Sequence, residues 1–469
     1  MHFFNFKFLV LLLFCVFKSY CSVFAQDNSN KLLVVKEFKI IGNKTTRENI
    51  IVREASVGIG DTIAADKLDK ELQKTKSNLF NTSLFNFVTV EPVYFDSTHI
   101  SIYITVEERW YWWPIPVFDI EETNFNTWWL DKDFDRVNYG LFLAKENFRG
   151  RKETLMFLAQ GGYTEKVGFK YEVPYINKKK TAGLNVRFAY GRNHEITYGT
   201  TNNTRDFYRS ENKYVKKEIN SSLGYEYRPK LYNKHALNLG YTSLDVADSV
   251  VLLNLNYLSG VKSSMQFLTL QYKVKRDKRD NKNYPIKGSY YDFGIRKDGL
   301  SLFDKNLNKL HITTHLKKFW QLSNRIYFAS SLRGKYTLKE GPYFLYNGLG
   351  YGNDLVRGYE FYVINGEHYG VAKIQIRYAL LKNKIFNVKA IAAKKFNKIP
   401  LAIYMGSYFD AGYVDSKINS STNFLSNTIL YGGGVSVDFV SYYDLVLRVE
   451  YSVNKLKEKG LFVHFIAPI

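Results

Sequence analysis

Beyond residue 25 this chain has no cysteine, because its two, Cys15 and Cys21, both fall near the amino terminus. The rest of the chain therefore excludes disulfides, thiolate nucleophiles and cysteine-based metal sites. It also lacks, after that first segment, any run of about eighteen apolar residues, so anchoring by membrane-crossing helices is excluded. No Gly-x-Ser-x-Gly elbow, no phosphate-binding Walker loop and no His-Glu-x-x-His pair occurs. His311 and His315 have a helical zinc spacing, but on a strand four residues span about 13 Å, too far to share one metal. No catalytic residue, no metal site and no cofactor is expected.

Aromatic residues are abundant: they make up 17% of the chain, with 37 Tyr and 35 Phe. In a soluble protein this surface needs a large core, whereas a transmembrane barrel sets it in girdles at the two lipid interfaces. The formal charge of +22 first suggests nucleic acid. The basic residues are nevertheless spread along the chain and interleaved with apolar ones, so a polar lumen or loops near anionic headgroups account for them, and no nucleic-acid partner is expected.

Residues 1–25 read as a signal peptide: Lys7 precedes the apolar run Phe8 to Phe17, and Val23-Phe24-Ala25 offers a cleavage site before Gln26. Lys18-Ser19-Tyr20 ahead of Cys21 does not suit lipidation. From 34 to 108 a small α+β module is expected, in the order strand, helix, helix, strand, strand. Phe38 and Ile40 mark the first strand, ending at Gly42-Asn43. Thr45 and Glu48 form a capping box that predicts a helix through Ile50, Ile51 and Ala55 to Gly58. Leu68, Leu72 and Leu79 mark the second helix; Val88 and Val90, then Ile100 to Val106, mark the last two strands.

Glu107 to Trp113 joins this module to the longer carboxy-terminal region. Trp110, Tyr111, Trp112 and Trp113 are expensive in water and suited to a membrane interface; Trp128 and Trp129 suggest the same on the far side. From 115 to 469 strands are expected throughout. Val215, Ile219, Leu223, Tyr225 and Tyr227 alternate with Lys216, Glu218, Asn220, Glu226 and Arg228. Ile326, Phe328 and Leu332 oppose Arg325, Arg333 and Lys335, and Leu445, Leu447, Val449 and Tyr451 oppose Arg448 and Glu450. An apolar face outward and a charged face inward is the pattern of a membrane barrel. About sixteen such runs give roughly 22 residues per strand with its loop, enough for the ~9–11 that cross. The fold class is thus all-β: a 16-stranded antiparallel transmembrane barrel after one α+β domain. Short connections such as 148–151, 174–180 and 229–233 should be inner turns, and long ones such as 193–213 outer loops.

Two stretches stand out: Gly-Leu-Gly-Tyr-Gly-Asn-Asp-Leu-Val-Arg-Gly-Tyr-Glu at 348–360 and Tyr-Phe-Asp-Ala-Gly at 408–412. A guanidinium can fork onto a carboxylate through two parallel hydrogen bonds, making the loop a fixed strut. Val356-Arg357-Gly358-Tyr359 followed by Asp410 resembles the BamA/TamA-type outer-membrane protein assembly family, the bacterial surface antigens. The resemblance implies that this sixth outer loop folds back into the barrel and that Arg357 meets Asp410 on the thirteenth strand. The segment around Arg279, Asp280, Pro285 and Gly288 resembles a second family signature, on an inner turn, and 34–108 resembles a single POTRA domain.

The resemblance carries further expectations. The POTRA lies in the periplasm and the barrel in the outer membrane. The partners are membrane lipids, unfolded clients or a dedicated secreted protein, and assembly lipoproteins. The function expected first is insertion and assembly of client proteins without covalent chemistry, through POTRA capture and a lateral seam, with a translocation pore for a dedicated partner or a non-catalytic scaffold as alternatives. The chain ends four residues beyond Phe465, so the terminal aromatic signal is imperfect and the seam between first and last strands should be weak.

Overall fold

From Gly370 to Leu380 successive side chains alternate without a break: Ile374, Ile376, Tyr378 and Leu380 face outward and are exposed, while Lys373, Gln375, Arg377 and Ala379 face inward and are buried. Period-two patterning of this kind, apolar outside and charged inside, builds the large sheet. The computed structural model describes residues 31–121, 126–128, 134–352, 354–388, 397–417, 421–441 and 445–465. The expected signal peptide and Trp129 lie outside these residues.

The first unit comprises β1 (Leu32–Ile41), α1 (Glu48–Val52), β2 (Thr62–Ala64), α2 (Leu68–Phe80), β3 (Phe85–Tyr94) and β4 (His99–Glu108). Its sheet runs β2-β1-β4-β3, with β1 parallel to β4. Leu68, Leu72 and Leu79 on α2 and Ile50 and Ile51 on α1 bury against Leu33, Val35, Ile100, Ile102 and Ile104. Two expectations need correction. The first helix is one short turn with Arg47 at its N-cap position and no side-chain cap, and the Thr45 N–H that Glu48 was expected to hold goes to Glu108 at 3.0 Å. The three-residue strand β2, too short to show a period, adds an edge.

The second unit is a 16-stranded sheet. In order its strands are β5 (Trp112–Ile120), β6 (Val137–Phe148), β7 (Glu153–Gly162), β8 (Thr164–Val173), β9 (Ala182–Asn193), β12 (Lys216–Tyr227) and β13 (Asn233–Val246). Next come β14 (Ser264–Asp277), β15 (Gly288–Asp298), β16 (Lys309–Gln321), β17 (Ile326–Lys339), β18 (His368–Asn387), β19 (Lys398–Asp415), β20 (Ile429–Val440), β21 (Val446–Asn454) and β22 (Lys459–His464). Neighbours pair antiparallel throughout. The 193–213 connection is itself a hairpin, β10 (Glu195–Thr201) and β11 (Thr204–Arg209), and a helical turn, α3 (Asp248–Leu253), sits in another outer loop. The region after 114 is therefore not strands alone.

Leu223, Tyr225 and Tyr227 are exposed on the outer face, as are Leu332, Leu447 and Tyr451. Val215 departs from the pattern. It precedes β12 and buries with Val250, Val251 and Tyr343 of the outer loops and Phe267 of β14. Among the described residues no ladder joins β5 to β22, so the sheet keeps two unpaired edges. They nonetheless approach one another, since Trp113, Ile115 and Phe465 line one cavity.

The first unit docks on the turns at the inner end of the sheet. Arg228, just past β12, forks onto Glu54 at 2.5 and 2.7 Å, and Tyr175 donates to the same carboxylate at 2.8 Å. Arg228 thus reaches the first unit and not the lumen. Asn81 accepts from Lys282 N–H at 2.9 Å, and Arg47 N–H donates to Gly150 at 3.0 Å. Gly150 has φ +69°, and a Cβ there would meet Thr45 O at 2.1 Å, so this turn requires glycine.

Candidate functional site

The connection between β17 and β18 carries the glycine-rich stretch, and its tight folding follows from those glycines. A Cβ at Gly348 would meet Ile364 O at 1.9 Å, and Gly350 adopts φ +97°. The loop enters the lumen and buries Leu349, Val356, Tyr359 and Ile364 against Tyr369, Val371 and Val414 of the wall.

At its tip Arg357 Nε donates to Asp410 Oδ2 at 2.8 Å and Nη2 to Oδ1 at 2.5 Å. The Arg357 backbone N–H adds a third bond to Oδ2 at 3.1 Å. Both side chains are fully buried. The guanidinium lies 3.8 Å above the ring of Tyr408, so the start and centre of Tyr-Phe-Asp-Ala-Gly serve the same arginine. Gly412 leaves room for Val356, which a Cβ would meet at 2.6 Å, and Gly432 leaves room for Arg357 O, which a Cβ would meet at 2.1 Å. Gly358 has φ +96° and its carbonyl accepts from Asn454 Nδ2 at 2.8 Å. Tyr359 O–H points to Tyr431 O at 3.4 Å. The tip is thereby fixed to β19, β20 and β21 together.

Outer loops close over this one. The backbone of Asn203, at the β10–β11 tip, donates to Asn423 Oδ1 at 2.7 Å and accepts from Val363 N–H at 2.8 Å.

The inner-turn residues hold a second network. Arg279 forks onto Asp277 at 2.9 and 2.8 Å, Asp280 accepts Ile286 and Lys287 N–H at 3.1 Å, and Gly288 has φ +112°. Pro285 O accepts from Arg377 at 2.7 Å. Tyr284 donates to Asp438 at 2.5 Å, and Arg448 forks onto the same carboxylate at 2.6 and 2.7 Å. The inner turn is thus tied to the wall through a buried ion pair. Alternation had marked Arg448 as inward-facing, but nothing in the sequence named Asp438 as its partner.

The aromatic string divides. Trp110 and Trp112 are exposed, 41% and 46%. Tyr111 is buried in the first unit and donates to Leu84 O at 2.8 Å, so it does not face lipid. Trp113 is half-buried and lines a cavity with the inward-facing Lys373 and Arg377. Trp128 is half-buried, edge-on to Phe134 at 5.6 Å. His311 and His315 lie on β16, and His315 Nε2 is 3.2 Å from Ser331 Oγ.

At the seam, Asn126 accepts from Val463 N–H at 2.8 Å and donates to Val463 O at 3.3 Å. One carboxamide thereby takes both backbone groups that a neighbouring strand would use. Sequence reasoning missed Asn126, since an isolated asparagine carries no signal.

Residues 147–453 match the Omp85 superfamily domain, and residues 33–109 match the surface antigen variable number repeat, a POTRA. CdiB from Escherichia coli is similar in structure, with TM-score 0.56 and 10% identity over 92% of this chain and 75% of that one. BamA from Haemophilus ducreyi, in a crystal structure lacking POTRA domains 1–3, has TM-score 0.50 and 15% identity over 92% of this chain and 83% of that one. No curated protein is detectably similar in sequence.

Proposed function

Since the chain belongs to the Omp85 superfamily of outer-membrane β-barrels, we propose that it assists client proteins to fold and insert into the outer membrane, without covalent chemistry. The POTRA lies in the periplasm, beneath the short turns it docks on. An unfolded client pairs with β3, the outermost strand of its sheet, and passes to the seam between β5 and β22, whose strand edges template the first client strand. Arg357 and Asp410 hold the inner loop against the wall beside that seam.

The observation that carries this reading is the seam itself. Among the described residues two strand edges lack a common ladder, and the side chain of Asn126 satisfies one residue of the β22 edge, Val463. A side-chain substitute costs less to displace than a full ladder, so a client strand can replace it. Assembly lipoproteins would bind the exposed POTRA face.

The test is depletion of the protein followed by quantitation of outer-membrane proteins. Loss of several unrelated barrels supports the assembly role. Loss of a single secreted protein, with appreciable conductance of the purified barrel in planar bilayers, replaces it with a translocation pore. An unchanged outer membrane leaves a scaffold.

A further inference from the structure

Three ligand-capable side chains meet beside the locked loop, and no sequence spacing pointed to them. Glu360 comes from the inner loop, Glu450 from β21 and His464 from the end of β22. His464 Nε2 lies 3.2 Å from Glu450 Oε1 and 3.7 Å from Glu360 Oε1, and one donor atom from each falls within 4.8 Å of the others. Both carboxylates are 1% exposed, and the His464 side chain is 10% exposed.

Two carboxylates this close in a buried place repel unless they share a proton or a cation sits between them. Arg357 is held by Asp410, and Lys373 and the His464 imidazole stand beside the two carboxylates. Glu450 Oε2 is buried and accepts no hydrogen bond, although the residue is fixed on a strand facing this cluster.

We propose that Glu360, Glu450 and His464 bind a first-row divalent cation of the zinc type. Ligand bonds of about 2.0–2.2 Å place donor atoms roughly 3–4 Å apart, the range of the two His464 distances, and one imidazole nitrogen with two carboxylate oxygens suits that class. Calcium and magnesium prefer all-oxygen shells. The cation would clip the last strand to the inner loop on the lumenal side of the seam, and its binding is independent of what the protein does to clients.

The full chain, purified in detergent and stripped with chelator, is titrated with Zn²⁺, desalted and assayed for metal. One tightly held equivalent is expected. Glu450→Gln and His464→Gln should each weaken binding about tenfold or more. His99→Ala, at the exposed Asp96–His99 pair of the POTRA, should leave it unchanged. Retained heat-modifiable migration shows that each variant is still a folded barrel. With Co²⁺ as probe, visible bands should appear in the wild type and vanish in His464→Gln. A wild type that holds no equivalent, or a His464→Gln barrel that holds the same amount, overturns the site.

Discussion

Arg357 reaches Asp410 from a loop whose ends lie at the outer rim, and it does so with three hydrogen bonds and a ring beneath its guanidinium. Such a pair is weak evidence of net stability, because desolvating two charges offsets their attraction. Its value lies in position, since only one placement of the loop satisfies both partners. Removing one partner strands a buried charge, at about 3–5 kcal/mol. Asp410→Ala is therefore expected to unfold at lower temperature than the double variant Arg357→Ala/Asp410→Ala, as thermal melts in detergent will show.

Gly432 and Gly370 separate steric room from mere flexibility. Alanine at Gly432 would put its Cβ 2.1 Å from Arg357 O, whereas at Gly370 nothing lies within 4 Å. Gly432→Ala is expected to expose the inner loop to protease and to cost about 1–3 kcal/mol, and Gly370→Ala to do neither.

The POTRA dock depends on Glu54 and Arg228. Glu54 is buried and Arg228 about a quarter exposed, so loss of the arginine should cost about 2–3 kcal/mol, below the figure for full burial. Arg228→Ala is expected to speed amide exchange in α1 and cleavage between the two units, with the barrel melt little changed.

The same pair predicts a pH response. Burial pushes the Glu54 carboxyl up, but the bonds and charge of Arg228, with Lys152 and Tyr175, hold it at about 2. A carboxylate depressed in the fold adds stability above its unfolded value of about 4.3 and loses it as pH falls toward 2. Exchange in α1, taken relative to the intrinsic amide rate at each pH, should rise through that window in the wild type and be flat there in Glu54→Gln. A flat wild-type profile would contradict the role of the ion pair.

Asn126→Ala removes the side chain that stands in for a strand at Val463. Amide exchange at Val463 should rise several-fold, while that of Val449 on β21, paired on both sides, stays unchanged.

Much of this was legible because barrel patterning is local. Leu332 and Arg333, or Leu447 and Arg448, declare opposite faces by period alone, and the pairing of Arg357 with Asp410 followed from family resemblance. What escaped depended on contacts far apart in sequence. Glu108 takes the Thr45 N–H that Glu48 was expected to hold, Tyr111 turns into the POTRA core, and Arg228 leaves the lumenal pattern for Glu54. Local preference cannot register a competitor many residues away.

The most direct test of the account is a folding assay in lipid vesicles carrying either the wild type or Arg357→Ala at equal density. A urea-unfolded outer-membrane barrel is added, and its heat-modifiable folded form is followed over time. The wild type is expected to speed folding over empty vesicles, and Arg357→Ala, itself still folded, to lose most of that acceleration. Equal acceleration by both would contradict the locked loop, and none from the wild type would contradict the assembly role itself.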